Sequence, residues 1–228
     1  MSERTDKPLA ITVNEAVRIS GVLTMPARAR ACYVLAHGAG AGMNHPFMAA
    51  VAEGLATREI ATLRYQFPYM ERGSKRPDAP ALAHATVRAA VAAAAQLKPK
   101  LPLVAGGKSF GGRMTSQTEA EAPLPCAGLA FLGFPLHPAG RPSSDRAEHL
   151  FKIKIPMLFL QGTRDTLADL AELRPVCKKL GQRVTLKLFD GADHSFHVPA
   201  RSGRKDGEVL DEVLDTLSAW IGDVIGLS

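Results

Sequence analysis

No stretch of this chain comes near the about 18 consecutive apolar residues of a membrane-crossing helix, so no membrane partner is expected. The polar start, residues 1–7, has no apolar segment behind it of the kind a secretory leader needs, and the expectation is a protein that stays where it is made. Cysteine is scarce: Cys32, Cys126 and Cys177 are odd in number and far apart. That argues against a disulfide framework and suits small core residues in a reducing compartment, with the cytoplasm as the default. No group of His, Cys, Asp or Glu has metal-ligand spacing, so no metal is expected. Internal repeats, low-complexity tracts and flexible linkers are missing as well.

The formal charge of +6 raises the question of a nucleic-acid partner, because clustered Lys and Arg release counterions from a phosphate backbone. The clustering is weak. Arg72, Lys75 and Arg76 share a loop, and Arg201, Arg204 and Lys205 form a second small group. Neither is interleaved with the aromatics of a single-strand platform, and no DNA- or RNA-binding motif appears. No nucleic-acid partner is expected, and solvated loops that favour anionic substrates are the better reading. Nothing in the pattern specifies an oligomer.

What is present is a chain of 228 residues, 46% hydrophobic and 22% charged, long enough for one well-buried α/β core. A single domain over 1–228 is expected. Residues 9–13 and 17–24 read as an antiparallel pair at a sheet edge, ending at Pro26. Strand candidates then alternate with helix candidates. Strands are expected at 31–36, 60–65, from Leu101 to the Ser109 turn, at 126–132, 156–161 and 183–189. Helices are expected at 46–57, 81–97, 165–180 and 206–225. An irregular stretch spans 133–155. This order implies a mostly parallel central sheet with helices on both faces, and loops too short for a lid domain.

The most informative segment joins the apolar run from Leu101 to Gly107-Lys108-Ser109-Phe110-Gly111, a G-x-S-x-G sequence between a strand and a helix. Glycines at 107 and 111 let the chain turn sharply and hold the Ser109 hydroxyl at the top of a sheet. The Gly-Lys-Ser tripeptide is not a phosphate-binding loop, because that spacing demands glycine at position 102, where the chain has proline.

A serine hydroxyl is a poor nucleophile until a base takes its proton, and in a parallel sheet the partners gather at the carboxyl ends of later strands. Asp165 follows one such strand, 56 residues after Ser109, and His194 follows the next, 29 residues further on. The imidazole is suited to accept the proton, and the carboxylate to fix its tautomer and stabilise the imidazolium. Asp169, Asp190 and Asp193 compete with Asp165. The first is placed to cap a helix, and the other two lie too close to His194 in sequence to reach round its ring easily. After the first parallel strand comes His37-Gly38-Ala39-Gly40-Ala41-Gly42. Its backbone can aim the amide of Ala39, ahead of that of Gly40, at the same point as the Phe110 amide, forming an oxyanion hole. His37 is expected to brace the turn, while His45 and His137, beside prolines, read as structural. Lys108 is expected to project away from Ser109. Tyr65, Phe67 and Tyr69, just past a strand end, form a candidate substrate pocket, or else simply fill the loop.

The motifs LAHGAGAGMNHPFM, RYQFPYMERGSKRPD, GGKSFGGRM, FLGFPLHP, LFLQGTRD and GADHSF together resemble the predicted α/β-hydrolase family of testis-expressed hydrolase-like proteins and a histone-acetyltransferase-complex subunit. The match covers about residues 31–196. More loosely, the chain is similar to dienelactone hydrolases, which carry a cysteine where this chain has Ser109. The resemblance implies the lidless α/β-hydrolase fold, with Ser109, Asp165 and His194 as nucleophile, acid and base. The expected activity is that of a serine hydrolase of carboxylesterase type, cleaving a small ester or acyl substrate through an acyl-enzyme, with no cofactor required. The alternative is a catalytically idle hydrolase fold used as a binding module.

Overall fold

Alternation along a short strand explains the architecture. In β3 (Ala31–Ala36), Cys32, Val34 and Ala36 enter one hydrophobic core, while Ala31, Tyr33 and Leu35 enter another on the opposite face. A strand that buries both faces reads as an unbroken apolar run, and it needs helices above and below it. The computed structural model describes residues 4–98 and 100–226, so the first three residues of the polar start lie outside the described residues.

Eight strands form one sheet in the order β1-β2-β4-β3-β5-β6-β7-β8. The edge pair is β1 (Arg4–Thr12) and β2 (Arg18–Pro26), antiparallel to each other, and β2 is antiparallel to β4 (Ile60–Tyr65). From β4 onward every pairing is parallel, through β3, β5 (Leu103–Lys108), β6 (Gly128–Leu132), β7 (Met157–Gly162) and β8 (Val184–Phe189). Helices α1 (Pro46–Ala56) and α6 (Asp206–Val224) cover one face. The other is covered by α3 (Pro80–Leu97), α4 (Phe110–Glu121) and α5 (Leu170–Leu180), and a one-turn helix, α2 (Pro68–Glu71), follows β4. This is the α/β-hydrolase fold.

β3 and β4 match the expected strands to the residue, β5 and β6 start two residues later than expected, and the edge pair is antiparallel as expected, although β1 begins at Arg4, not at Leu9. Two expectations need correction. Helix α5 begins at Leu170, not at Asp165, because Asp169 caps it by accepting the Ala171 amide at 2.8 Å and leaves 165–169 as a turn. The stretch 133–155 holds a 3-10 helix, Asp145–Lys152, but no inserted lid domain. Among the described residues no helix is long and apolar enough to cross a membrane.

Because β3, β5, β7 and β8 run parallel, their carboxyl ends open on one rim. That rim carries the turn 37–42, Ser109, Asp165 and His194.

Candidate active site

Ser109 occupies the turn between β5 and α4 at φ 50°, ψ −116°, a region that side chains with a Cβ rarely enter. Its neighbours must be glycine because of close approach. A Cβ on Gly107 would stand 2.2 Å from the Ala36 carbonyl oxygen, and one on Gly111 would stand 2.6 Å from that of His37. The turn is therefore clamped against the end of β3, and the Ser109 hydroxyl donates to His194 Nε2 at 2.8 Å.

On the far side of the ring, His194 Nδ1 donates to Asp165 Oδ2 at 2.7 Å. The Asp165 side chain is fully buried, yet it is well satisfied: the Leu167 amide donates to Oδ1 at 2.8 Å, and Gln161 Nε2 donates to Oδ2. Gln161 is itself buried, and its Oε1 accepts the Phe134 amide at 2.9 Å. It thus ties the acid loop to the segment after β6, as a buried carboxylate requires. Sequence reasoning passed over Gln161. The available signal was a lone amide closing an otherwise apolar strand.

The competing acids have other duties. Besides Asp169 at its cap, Asp190 accepts from the Thr163 hydroxyl at 3.2 Å, and Asp193 accepts the amides of Ser195 and His197 at 2.7 and 3.0 Å, folding the turn that presents His194.

The glycine turn is pinned from below. His37 is fully buried. It donates from Nδ1 to the Gly38 carbonyl at 2.8 Å and accepts the Phe67 amide on Nε2 at 3.0 Å. Burial, opposed only by the Gly38 carbonyl, pushes its pKa down to about 4, so the ring is a neutral brace at neutral pH. The Gly40 amide donates to the Tyr69 hydroxyl at 3.2 Å and is occupied, whereas the amides of Ala39 and Phe110 have no protein partner among the described residues. His45 accepts the Phe47 amide at 3.2 Å and caps α1, and His137 accepts the Asp169 amide at 2.8 Å, both as structural loop residues.

Tyr65, Phe67 and Tyr69 do not line the cleft over Ser109. All three are buried, and Phe67 and Tyr69 meet the Phe110 ring edge-on. The substrate-pocket expectation is corrected: Tyr65 ends β4 inside the core, and Phe67 and Tyr69 pack on the His37 and Phe110 rings, bracing the glycine turn and the elbow. The cleft, about 430 Å³, is instead bordered by Ala39, Ala41, Phe47, Met48 and Leu167, with Ser109 and His194 among its lining residues. Lys108 is a second correction. Expected to point away from Ser109, it instead borders the same cleft, where its Nζ donates to the His194 carbonyl at 2.6 Å and lies 5.9 Å from the centre of the Phe196 ring. Burial pushes its pKa down to about 8, against the pull of Asp165 and Asp193.

With this geometry in view, a family model described as an alpha/beta hydrolase domain matches residues 29–222. The chain belongs to that family. The hydrolase domain is similar in structure to a dienelactone hydrolase from Anabaena variabilis, with a TM-score of 0.77 and 22% identity over 95% of this chain and 96% of that one. An alpha-beta serine hydrolase homologue from Coxiella burnetii follows with a TM-score of 0.74 and 17% identity, over 93% of this chain and 96% of that one. A lidless α/β serine hydrolase from Xanthomonas campestris gives 0.70 and 18%, over 96% and 93%. At these identities the likeness shows the fold, and the chemistry must be argued from the residues.

Proposed function

We propose that the hydrolase domain is a serine esterase acting on small acyl esters, with Ser109 as nucleophile, His194 as base and Asp165 as the carboxylate that orients and stabilises it. The observation that carries this reading is the unbroken relay from the Ser109 hydroxyl through both ring nitrogens of His194 to a buried, triply bonded carboxylate. Attack on the ester carbonyl passes the serine proton to His194 Nε2, which delivers it to the departing alcohol as the acyl-enzyme forms. Water then enters, His194 takes its proton, and the acid leaves with Ser109 restored.

Negative charge on the tetrahedral oxygen is met by the amides of Ala39 and Phe110. The engagement of Gly40 by Tyr69 supports Ala39 over Gly40. The amino end of α4 adds its positive potential. The apolar border of Ala39, Ala41, Phe47, Met48 and Leu167, in a cleft of about 430 Å³, suits a short acyl chain.

The test is turnover of p-nitrophenyl esters of short acids together with fluorophosphonate labelling. Parent protein is expected to hydrolyse and to label stoichiometrically, and Ser109→Ala to lose both, with an unchanged circular-dichroism spectrum. A folded parent that neither labels nor turns over would favour the idle binding module.

A further inference from the structure

A second cleft, about 630 Å³, runs along the outer side of α4 between the start of α3 and the 3-10 helix Asp145–Lys152. Phe110, Met114 and Pro80 supply apolar wall, and Arg113, His149 and Lys152 supply basic groups. None of these residues borders the cleft over Ser109.

The charges along this cleft do not cancel. Its two carboxylates are already engaged, Asp78 by Arg72 and the Tyr69 amide, and Glu121 by His84 Nδ1 at 2.8 Å. The bases are not: Arg113 and Lys152, which line the cleft, and Arg146, which does not, form no ion pair among the described residues, and Arg113 Nε is buried there without a hydrogen-bond partner. Burial lowers the Arg113 pKa first, and the neighbouring Arg146 charge lowers it further. His149 is pushed down to about 4 by burial and then by Arg113, His84 and Lys152, so it does not add to the charge near neutral pH. It bonds through Nε2 to the Ser116 hydroxyl at 2.7 Å, and that hydroxyl donates to the Arg113 carbonyl at 2.9 Å, which locks the cleft wall to α4.

A partly buried guanidinium that makes no ion pair among the described residues is costly, and it gains most from an oxyanion, which a guanidinium fork can hold with paired hydrogen bonds. We propose that this cleft is a binding site for the oxyanion group, carboxylate or phosphate, of a small molecule whose apolar body lies against Phe110 and Met114, with Arg113 as the central contact. The site shares no lining residue with the cleft over Ser109, although the Phe110 ring borders it while the Phe110 amide faces the serine, and it does not depend on the esterase reading.

Calorimetric titration with phenyl phosphate, benzoate and inorganic phosphate tests it. At least one of the two aromatic anions is expected to bind, more tightly than inorganic phosphate, and more weakly as salt rises. Arg113→Gln is expected to weaken that binding about tenfold or more, the value of a charge-assisted hydrogen bond. Lys152→Gln, an exposed change that spares the fold, should weaken it about twofold to threefold. Ser109→Ala, and Lys178→Gln at an exposed position on α5, should bind as the parent does. Absence of binding by both aromatic anions would overturn the assignment. So would unchanged affinity in both Arg113→Gln and Lys152→Gln, or loss of binding in Ser109→Ala, which would put the anion at the serine. If Arg113→Gln fails to fold, the Lys152→Gln result decides.

Discussion

Asp165 and Arg113 both lie within a few residues of a chain turn at the sheet rim, and both withdraw charge from water, yet their surroundings differ in kind. Asp165 is met by an imidazole, an amide side chain and a backbone N–H, so its desolvation is compensated in the free protein. Among the described residues the buried Arg113 Nε has no hydrogen-bond partner, and the Arg146 charge adds to the cost of its burial. A satisfied buried charge fixes geometry, as a reacting centre needs; an unsatisfied one keeps interaction energy in reserve for a ligand.

Breaking the satisfied side should have the larger effect. Asp165→Asn is expected to lower ester turnover by about three to four powers of ten, because an amide cannot stabilise the imidazolium and sets the ring in the wrong tautomer. Steady-state kinetics on a short p-nitrophenyl ester, with a melting curve to establish folding, measures it. Retention of more than a tenth of parental turnover would remove Asp165 from the relay.

A milder perturbation of the same side is Lys108→Met, which cuts the ammonium tether to the His194 carbonyl while leaving the reacting atoms in place. Turnover should fall about tenfold, the value of one charge-assisted hydrogen bond, with KM little changed. Lys108→Arg should recover part of the loss. A KM effect without a kcat effect would mean that Lys108 contacts substrate instead of holding the loop.

The smallest effect has the opposite sign. Arg113→Met, which replaces the unpaired guanidinium by an apolar chain, should leave folding stability unchanged or raise it by about 1 kcal/mol, a melting shift of about 2–4 °C. A fall in melting temperature would show that the parent protein already compensates this charge.

These two regions also differ in how far the sequence alone discloses them. Ser109, Asp165 and His194 are readable because chain order, strand ends and glycine spacing are all linear properties of a parallel sheet. The same holds for β3 and β4, whose unbroken apolar runs define their ends. The fate of Tyr65, Phe67 and Tyr69 is not readable in this way: whether an aromatic at or after a strand end lines a cleft or fills the core depends on how the following segment folds, and here Tyr65 ends β4 while Phe67 and Tyr69, at the cap and inside α2, are buried with it. Lys108 is similar. A residue beside a nucleophile in sequence can face either wall of the turn, and its contact with His194 joins positions 86 residues apart.

The Arg113 cleft lies furthest from sequence reasoning. It is assembled from the start of α3, the outer side of α4 and a 3-10 helix inside a stretch that reads as irregular, and its character comes from which acids are already paired. Short-range pattern therefore determined the strands, the elbow and the order of the three polar residues on the rim, since backbone periodicity and the steric demand for glycine act between near neighbours. Tertiary structure alone decided which aromatics became scaffold, that Gln161 would hold the buried acid, and that Arg113 would be left without a counter-charge, because burial and pairing arise only when distant segments meet.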